Sequence, residues 1–234
     1  MLRFEQFELA AGVRLDARIE RGRVHVLPLD PEHVQEDFIA RYLAGEELAG
    51  EAKGELWLEE VRDAAGRPMA LRMLPAEKLR GFFARFVGFV LRDGGLADEL
   101  TVRENLLLSQ RYHDVWPRGR ARGEEVAELL RELAGEEMRG VAAAELLERR
   151  PGEMTAFARR YWGWMTTLVR RPQLVIAFAP FDGLRAADRA AIAGLLQRYR
   201  RIEPASAHLL VTTGPHEAAA LAGLEVVELR AESW

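Results

Sequence analysis

The stretch PLDPEHVQEDF, residues 28–38, gathers the chain's densest set of potential ligand atoms in Asp30, Glu32, His33, Glu36 and Asp37. Carboxylates at that density suit a hard, oxygen-seeking cation, with an imidazole as a softer addition. Nothing in their spacing fixes a coordination geometry. Acids at the start of a helix are also favoured by its dipole, so a solvated loop and helix start is the plainer reading. Arg92 and Arg159 are guanidinium groups suited to an anion. His25, His33 and His113 titrate near neutral pH, but isolated histidines are mostly ordinary core or surface residues. The chain has no cysteine, which excludes disulfides, thiolate nucleophiles and thiolate metal sites.

The chain that must position these groups has 234 residues, 49% of them apolar and 30% charged, which fits a folded α/β core with a smaller lobe. Its net charge of -4 gives no reason to expect a nucleic-acid surface. The basic runs at 118–122 and 198–201 read as solvated faces. No segment reaches the roughly 18 apolar residues needed to cross a bilayer, and the opening MLRFEQFELAAG is not expected to be a signal peptide.

Periodicity places a hairpin over 2–20 around Ala11-Gly12, strands at 24–29 and 55–60, and a possible continuation of that sheet at 67–74. Helix 38–43 precedes Gly45. Helix 77–86 runs into strand 87–91, and several short helices fill 100–147 until Pro151-Gly152 breaks the pattern. Helix 155–169, strand 174–178, helix 187–200, strand 208–212, helix 217–221 and strand 225–229 complete the alternation. Such an order implies a largely parallel sheet covered by helices, with the helical middle as a separate lobe.

In this order, and in its motifs, the chain resembles the ATP-binding subunit of ATP-binding cassette (ABC) transporters over nearly its whole length. The local likeness is carried by VGFVLRDGGLADELTVRENLLLSQRYH (87–113), by RPGEMTAFARRYWGWMTTLVRRPQLVIAFAPFDGLRAADRAAIAGLL (150–196), and by HLLVTTGPHEAAALA (208–222). The "RENLLL" phrase is similar to subunits of lipid-transport systems of the Mla-like type. The implied fold is α/β, a P-loop NTPase-like sheet core with an inserted helical subdomain. Residues 1–93 and 171–234 would form the core, and 94–170 the helical subdomain.

Against that family the chemistry is missing. The phosphate loop needs glycine-rich backbone and a Gly-Lys-Ser/Thr ending, whose N–H groups and lysine hold phosphate. Residues 28–38 contain neither glycine nor lysine. Gln35 or Glu36 takes the lysine position, and Glu36 or Asp37 the Mg²⁺-binding hydroxyl, so the local field repels polyphosphate. Phe178 stands where the family has its Mg²⁺-associated Asp and Ala179 where it has the Glu that polarises water. Asp182, beyond the Pro180-Phe181 turn, is expected to cap a loop or helix. The signature Leu-Ser-Gly-Gly-Gln becomes MTAFA, in which Thr155 keeps a hydroxyl while Ala156 and Phe157 replace glycines. Arg92 replaces the phosphate-sensing glutamine and Thr213 the switch histidine, with His216 three positions on.

The losses fall on functional positions while the apolar framework persists, which implies a retained non-catalytic role. The expectation is a pseudo-ATPase with no catalytic residue, cofactor or metal. It would be cytoplasmic and peripheral on the inner face of the cell membrane, with a transmembrane transporter subunit as partner and a homodimer or a heterodimer with an ABC ATPase-like chain. Leu91, Leu96, Leu100, Tyr112 and Trp116 are the proposed partner anchors, while Val102 and Leu106 read as internal packing. One of Trp162 and Trp164 would support the sheet and the other a partner. The alternatives are a free-standing interaction module, a weak ATPase completed by a partner, and a site for another anion built on Arg92 and Arg159.

Overall fold

The computed structural model describes residues 2–10, 13–29, 54–62, 65–70, 74–111, 123–135, 143–214, 221 and 223–233. The N-terminal hairpin forms as its alternation predicts, with strand β1 (Leu2–Ala10) antiparallel to β2 (Val13–Arg18). A shift in register between Phe4 and Phe7 coincides with Gln6 at φ 48°. This extra step moves Phe7 onto the face of Leu2 and Phe4, where the two phenyl rings meet edge to face at 5.6 Å.

Strands β4 (Glu55–Arg62) and β5 (Pro68–Ala70) extend that sheet on one side, and the polar strand β10 (Ala231–Ser233) on the other. The order is β10-β2-β1-β4-β5. The second sheet is parallel, in the order β6-β7-β8-β3-β9. It comprises β3 (Val24–Pro28), β6 (Val87–Val90), β7 (Leu174–Phe178), β8 (Ala207–Thr212) and β9 (Val226–Glu228). β7 and β8 are buried along their whole length, as expected of parallel strands covered on both faces.

Two cores follow. Phe4, Phe7, Leu15 and Leu56 pack with Leu27, Ile176, Phe178 and Leu209 between the sheets. Val24, Val26, Val175 and Leu210 pack on the other face beneath helices. The described helices are α1 (Ala76–Phe86), α2 (Val102–Arg111), α3 (Gly123–Ala134), α4 (Ala143–Leu147), α5 (Ala156–Leu168) and α6 (Ala186–Ile202), with a 3₁₀ turn at Pro151–Glu153. The helix expected at 38–43 and most of that at 217–221 lie outside the described residues.

The conspicuous phrase LTVREN has a local physical account. Thr101 and Glu104 make a reciprocal capping box at the start of α2: the Thr101 N–H donates to Glu104 Oε2 at 2.8 Å and the Glu104 N–H to Thr101 Oγ1 at 3.2 Å. The Thr101 N–H first, and then the Thr101 hydroxyl, hold the Glu104 carboxyl below its ordinary range. Asn105 is buried and exchanges two bonds with Ala97, accepting from its N–H at 2.9 Å and donating to its carbonyl at 3.1 Å.

Trp162 and Trp164 differ from expectation, because both are buried. α5 is packed against β6, α2 and α6, and from Arg160 to Leu168 only Thr166 keeps appreciable exposure. A helix covered on all sides has no stripe left for a partner. The basic run at 198–201 also departs from a solvated face: Arg198 Nε donates to Leu133 O at 2.9 Å and Arg200 Nη2 to Gly22 O at 2.8 Å.

Candidate functional site

The carboxyl ends of parallel strands are where open α/β sheets bind ligands. At the end of β7 the side chain of Phe178 is fully buried in the core between the sheets. Ala179 is also fully buried, at φ 42°, and its N–H donates to Val211 O at 2.7 Å. That bond ties the turn to β8 and holds a non-glycine residue in the left-handed region. Ala179→Gly is expected to stabilise the fold by about 0.5 kcal/mol, because the relieved strain slightly exceeds the entropy glycine adds to the unfolded chain. Urea unfolding at constant slope measures it.

The turn continues with Asp182 N–H on Ala179 O and Leu184 N–H on Phe181 O, both at 3.2 Å. The Asp182 carboxylate is not a cap. It accepts from Arg92 Nε at 2.9 Å and also from Arg92 Nη2. Arg160, buried in α5, donates from Nη1 to the Asp182 carbonyl at 2.6 Å. Arg92 and Arg159, read as groups for an anion, are engaged by the chain's own acids, since Arg159 pairs with Asp93 at 3.2 Å and Asp98 at 3.0 Å. Arg160 and Asp182 were not legible as partners, being 22 residues apart in sequence. The only hint was a second arginine beside Arg159 in an otherwise aromatic helix.

At the start of α5 Thr155 is an N-cap, its hydroxyl accepting from Ala158 N–H at 3.2 Å. Ala156 is exposed. Phe157 is half-buried, with its ring 5.6 Å from that of Tyr161. The (i, i+4) spacing places one ring over the other and draws Phe157 inward. Thr213 is half-buried in the bend after β8. Gln35, Glu36 and Asp37 lie outside the described residues. Among the described residues no group of three or more His, Asp or Glu is arranged to hold a metal.

A cleft of about 260 Å³ opens elsewhere, between α1, β6, α2 and α5. Phe89, Gly94, Leu96, Leu108, Gly163 and Arg170 line it among others. Arg170 is largely buried and donates to Ala84 O at 2.7 Å; burial pulls its guanidinium below the ordinary value. Of the expected anchors, Leu96 is buried on the cleft wall. Leu91 packs against the inter-sheet core and Leu100 is half-buried. Tyr112 and Trp116 lie outside the described residues. Val102 and Leu106 are core residues, as read. The exposed large apolar side chains among the described residues are Leu107 and Leu108, which the sequence reading did not single out.

No family model matches the chain and no curated protein does. Solved structures do match. One is the dimeric MJ0796, a bacterial ABC transporter cassette, at TM-score 0.70 and 18% identity, covering 100% of this chain and 98% of that one. Another is the same ATP-binding cassette in a dimeric post-hydrolysis state bound to ADP and Pi, at TM-score 0.69 and 17% identity with the same coverage. The fold is that of an ABC transporter ATPase cassette. The expected α/β, P-loop NTPase-like architecture is therefore present across the whole cassette length. Within that fold, Phe178, Ala179 and the Arg92–Asp182 pair occupy the sheet edge after β7 and β6.

Proposed function

We propose that this chain is a non-catalytic cassette, a pseudo-ATPase serving a structural or regulatory role in a membrane transporter complex. The observation that carries the reading is the end of β7, where an apolar ring and a methyl group, both fully buried, hold the two acid positions. A residue sealed in the core cannot bind Mg²⁺ or orient water, whatever approaches from outside. The glycine-free, lysine-free sequence 28–38 supports the same conclusion for phosphate binding. So does Arg92, which occupies the phosphate-sensing position and is held by Asp182.

The partner is a transmembrane transporter subunit, which inserts a short helix into the α1–α2–α5 cleft. An exposed Leu108 and a wall containing Leu96 and Phe89 suit the apolar face of such a helix. Among the described residues no helix is long and apolar enough to cross a membrane, so attachment goes through the partner. The dimeric state of the MJ0796 cassettes supports a homodimer, or a heterodimer with an ABC ATPase-like chain. The segment 87–113 supports the finer assignment to a lipid-transport, Mla-like system, with the chain cytoplasmic and peripheral on the inner face of the membrane.

Titration with ATP and Mg²⁺, alone and with the co-purified partner, tests the absence of catalysis. The expected result is no saturable binding at physiological ATP and no phosphate release. Saturable Mg²⁺-dependent binding would overturn it. Leu108→Asp, at a position 43% exposed, is expected to leave folding intact and weaken capture of the membrane partner roughly tenfold. Recovery of the membrane partner by the variant at wild-type yield would count against the cleft, and failure of the wild-type chain to recover one would favour a free-standing module.

A further inference from the structure

We propose that the stretch joining β6 to α2, residues 91–101, is a fixed strap that pins the helical layer to the carboxyl edge of the parallel sheet without any ligand. The proposal goes beyond the reading above and does not rest on it. Loops at this edge are where open α/β sheets bind their ligands. Here the ordering groups all belong to the chain.

The strap is tied at its start, its middle and its end. At the start Arg92 reaches Asp182 in the turn after β7. In the middle one guanidinium of α5, Arg159, holds Asp93 at 3.2 Å and Asp98 at 3.0 Å, with only 23% of its side chain exposed. Between those two acids Gly94 lies backbone to backbone on α5. A Cβ on Gly163 would fall 2.1 Å from Gly94 O, and one on Gly94 2.7 Å from Arg159 O. Gly94 also has φ +98°, so no other residue fits either the space or the backbone. At the end the buried amide of Asn105 closes on Ala97. α5 meanwhile clasps the anchoring turn itself, through Arg160 on the Asp182 and Pro180 carbonyls.

Exposed ion pairs are individually weak. They gain here because the backbone contact and the amide bonds have already ordered the loop, leaving little entropy for each pair to remove. Two consequences follow from the geometry. Arg92 and Arg159 are already neutralised by neighbouring acids, so an added anion must compete with Asp182, Asp93 and Asp98. Gly94, Gly95 and Leu96 also form one wall of the α1–α2–α5 cleft, so the strap fixes the shape of that wall.

Hydrogen exchange on the full chain, read at the amides of Gly94, Gly95 and Ala97, tests the strap. These amides donate to Leu91 O, Asp93 Oδ1 and Asn105 Oδ1, each at 2.9 Å. Protection is expected without ligand and unchanged by ATP·Mg²⁺. The double variant Arg159→Gln, Asp182→Asn should exchange roughly tenfold faster at these three amides, with β7 and β8 unaffected. If it fails to fold, Asp98→Asn, at an exposed carboxylate, should give an acceleration of about threefold. The strap is refuted by unprotected amides in the wild type, by variants that exchange like wild type, or by ATP·Mg²⁺ slowing exchange. ATP binding that leaves these amides unchanged would defeat the pseudo-ATPase reading and leave the strap standing.

Discussion

Phe178→Asp is expected to unfold the protein rather than return it to catalysis. The Phe178 side chain is fully buried, faces Leu27, Leu209 and Val211 in the core between the sheets, and is paired in register with Val211. Removing a buried phenyl ring alone costs about 3–5 kcal/mol. Placing a carboxylate there adds the desolvation of a charge with no cation or donor within the apolar cluster, which is several kcal/mol more unless the group protonates. The sum approaches the whole stability of an ordinary domain, about 5–15 kcal/mol. Urea unfolding followed by circular dichroism checks it, with Phe178→Leu as the control that keeps most of the volume and loses less than about 1.5 kcal/mol. A Phe178→Asp protein within about 1 kcal/mol of wild type would mean that the strand end opens to solvent, and with it the main support for a sealed hydrolysis site would fall.

Much of the framework was legible in the sequence because it rests on local signals. Apolar runs gave β7 and β8, the Pro151-Gly152 break separated α4 from α5, and period-2 alternation gave the first hairpin. The acid-free strand end was legible too, since residue type alone decides whether a carboxylate is present. What escaped were pairings set by topology. Arg92 meets Asp182 across 90 positions only because β6 and β7 are neighbours in the sheet. Trp162 and Trp164 could not be assigned from periodicity, because a helix with neighbours on every side buries both its faces. β10 was missed for a different reason: three residues, Ala-Glu-Ser, carry no strand pattern and are recruited by the exposed edge of β2. Leu108 shares a sequence phrase with the buried Leu106, and only the rotation of α2 separates the exposed residue from the core one.

A second large effect concerns acid. His208 is fully buried in β8, beside the ring of Tyr199 at 5.9 Å in an edge-to-face contact. Neither of its ring nitrogens meets a hydrogen-bond partner among the described residues. Burial first, then the charges of Arg200 and His25, pulls its pKa from 6.5 down to about 3. Burial also lowers His25 in the adjacent strand, whose Nε2 accepts from Glu20 N–H at 3.3 Å. The sign follows from proton counting. Below about pH 6.5 the unfolded chain binds a proton at His208 that the folded chain refuses, so acid favours unfolding. The stabilisation is whole above that pH and is lost on descent towards pH 3, at about 1.4 kcal/mol per pH unit. At pH 4.5 the loss is about 3 kcal/mol from His208 alone, with His25 adding in the same direction. Stability measured against pH in wild type and in His208→Phe checks this, since phenylalanine keeps a ring against Tyr199 but cannot charge. The variant should lose most of the slope between pH 6.5 and 4.5, whatever its absolute stability. Parallel curves for the two proteins would show that His208 is solvated or paired in solution, and that the acid response belongs to other groups.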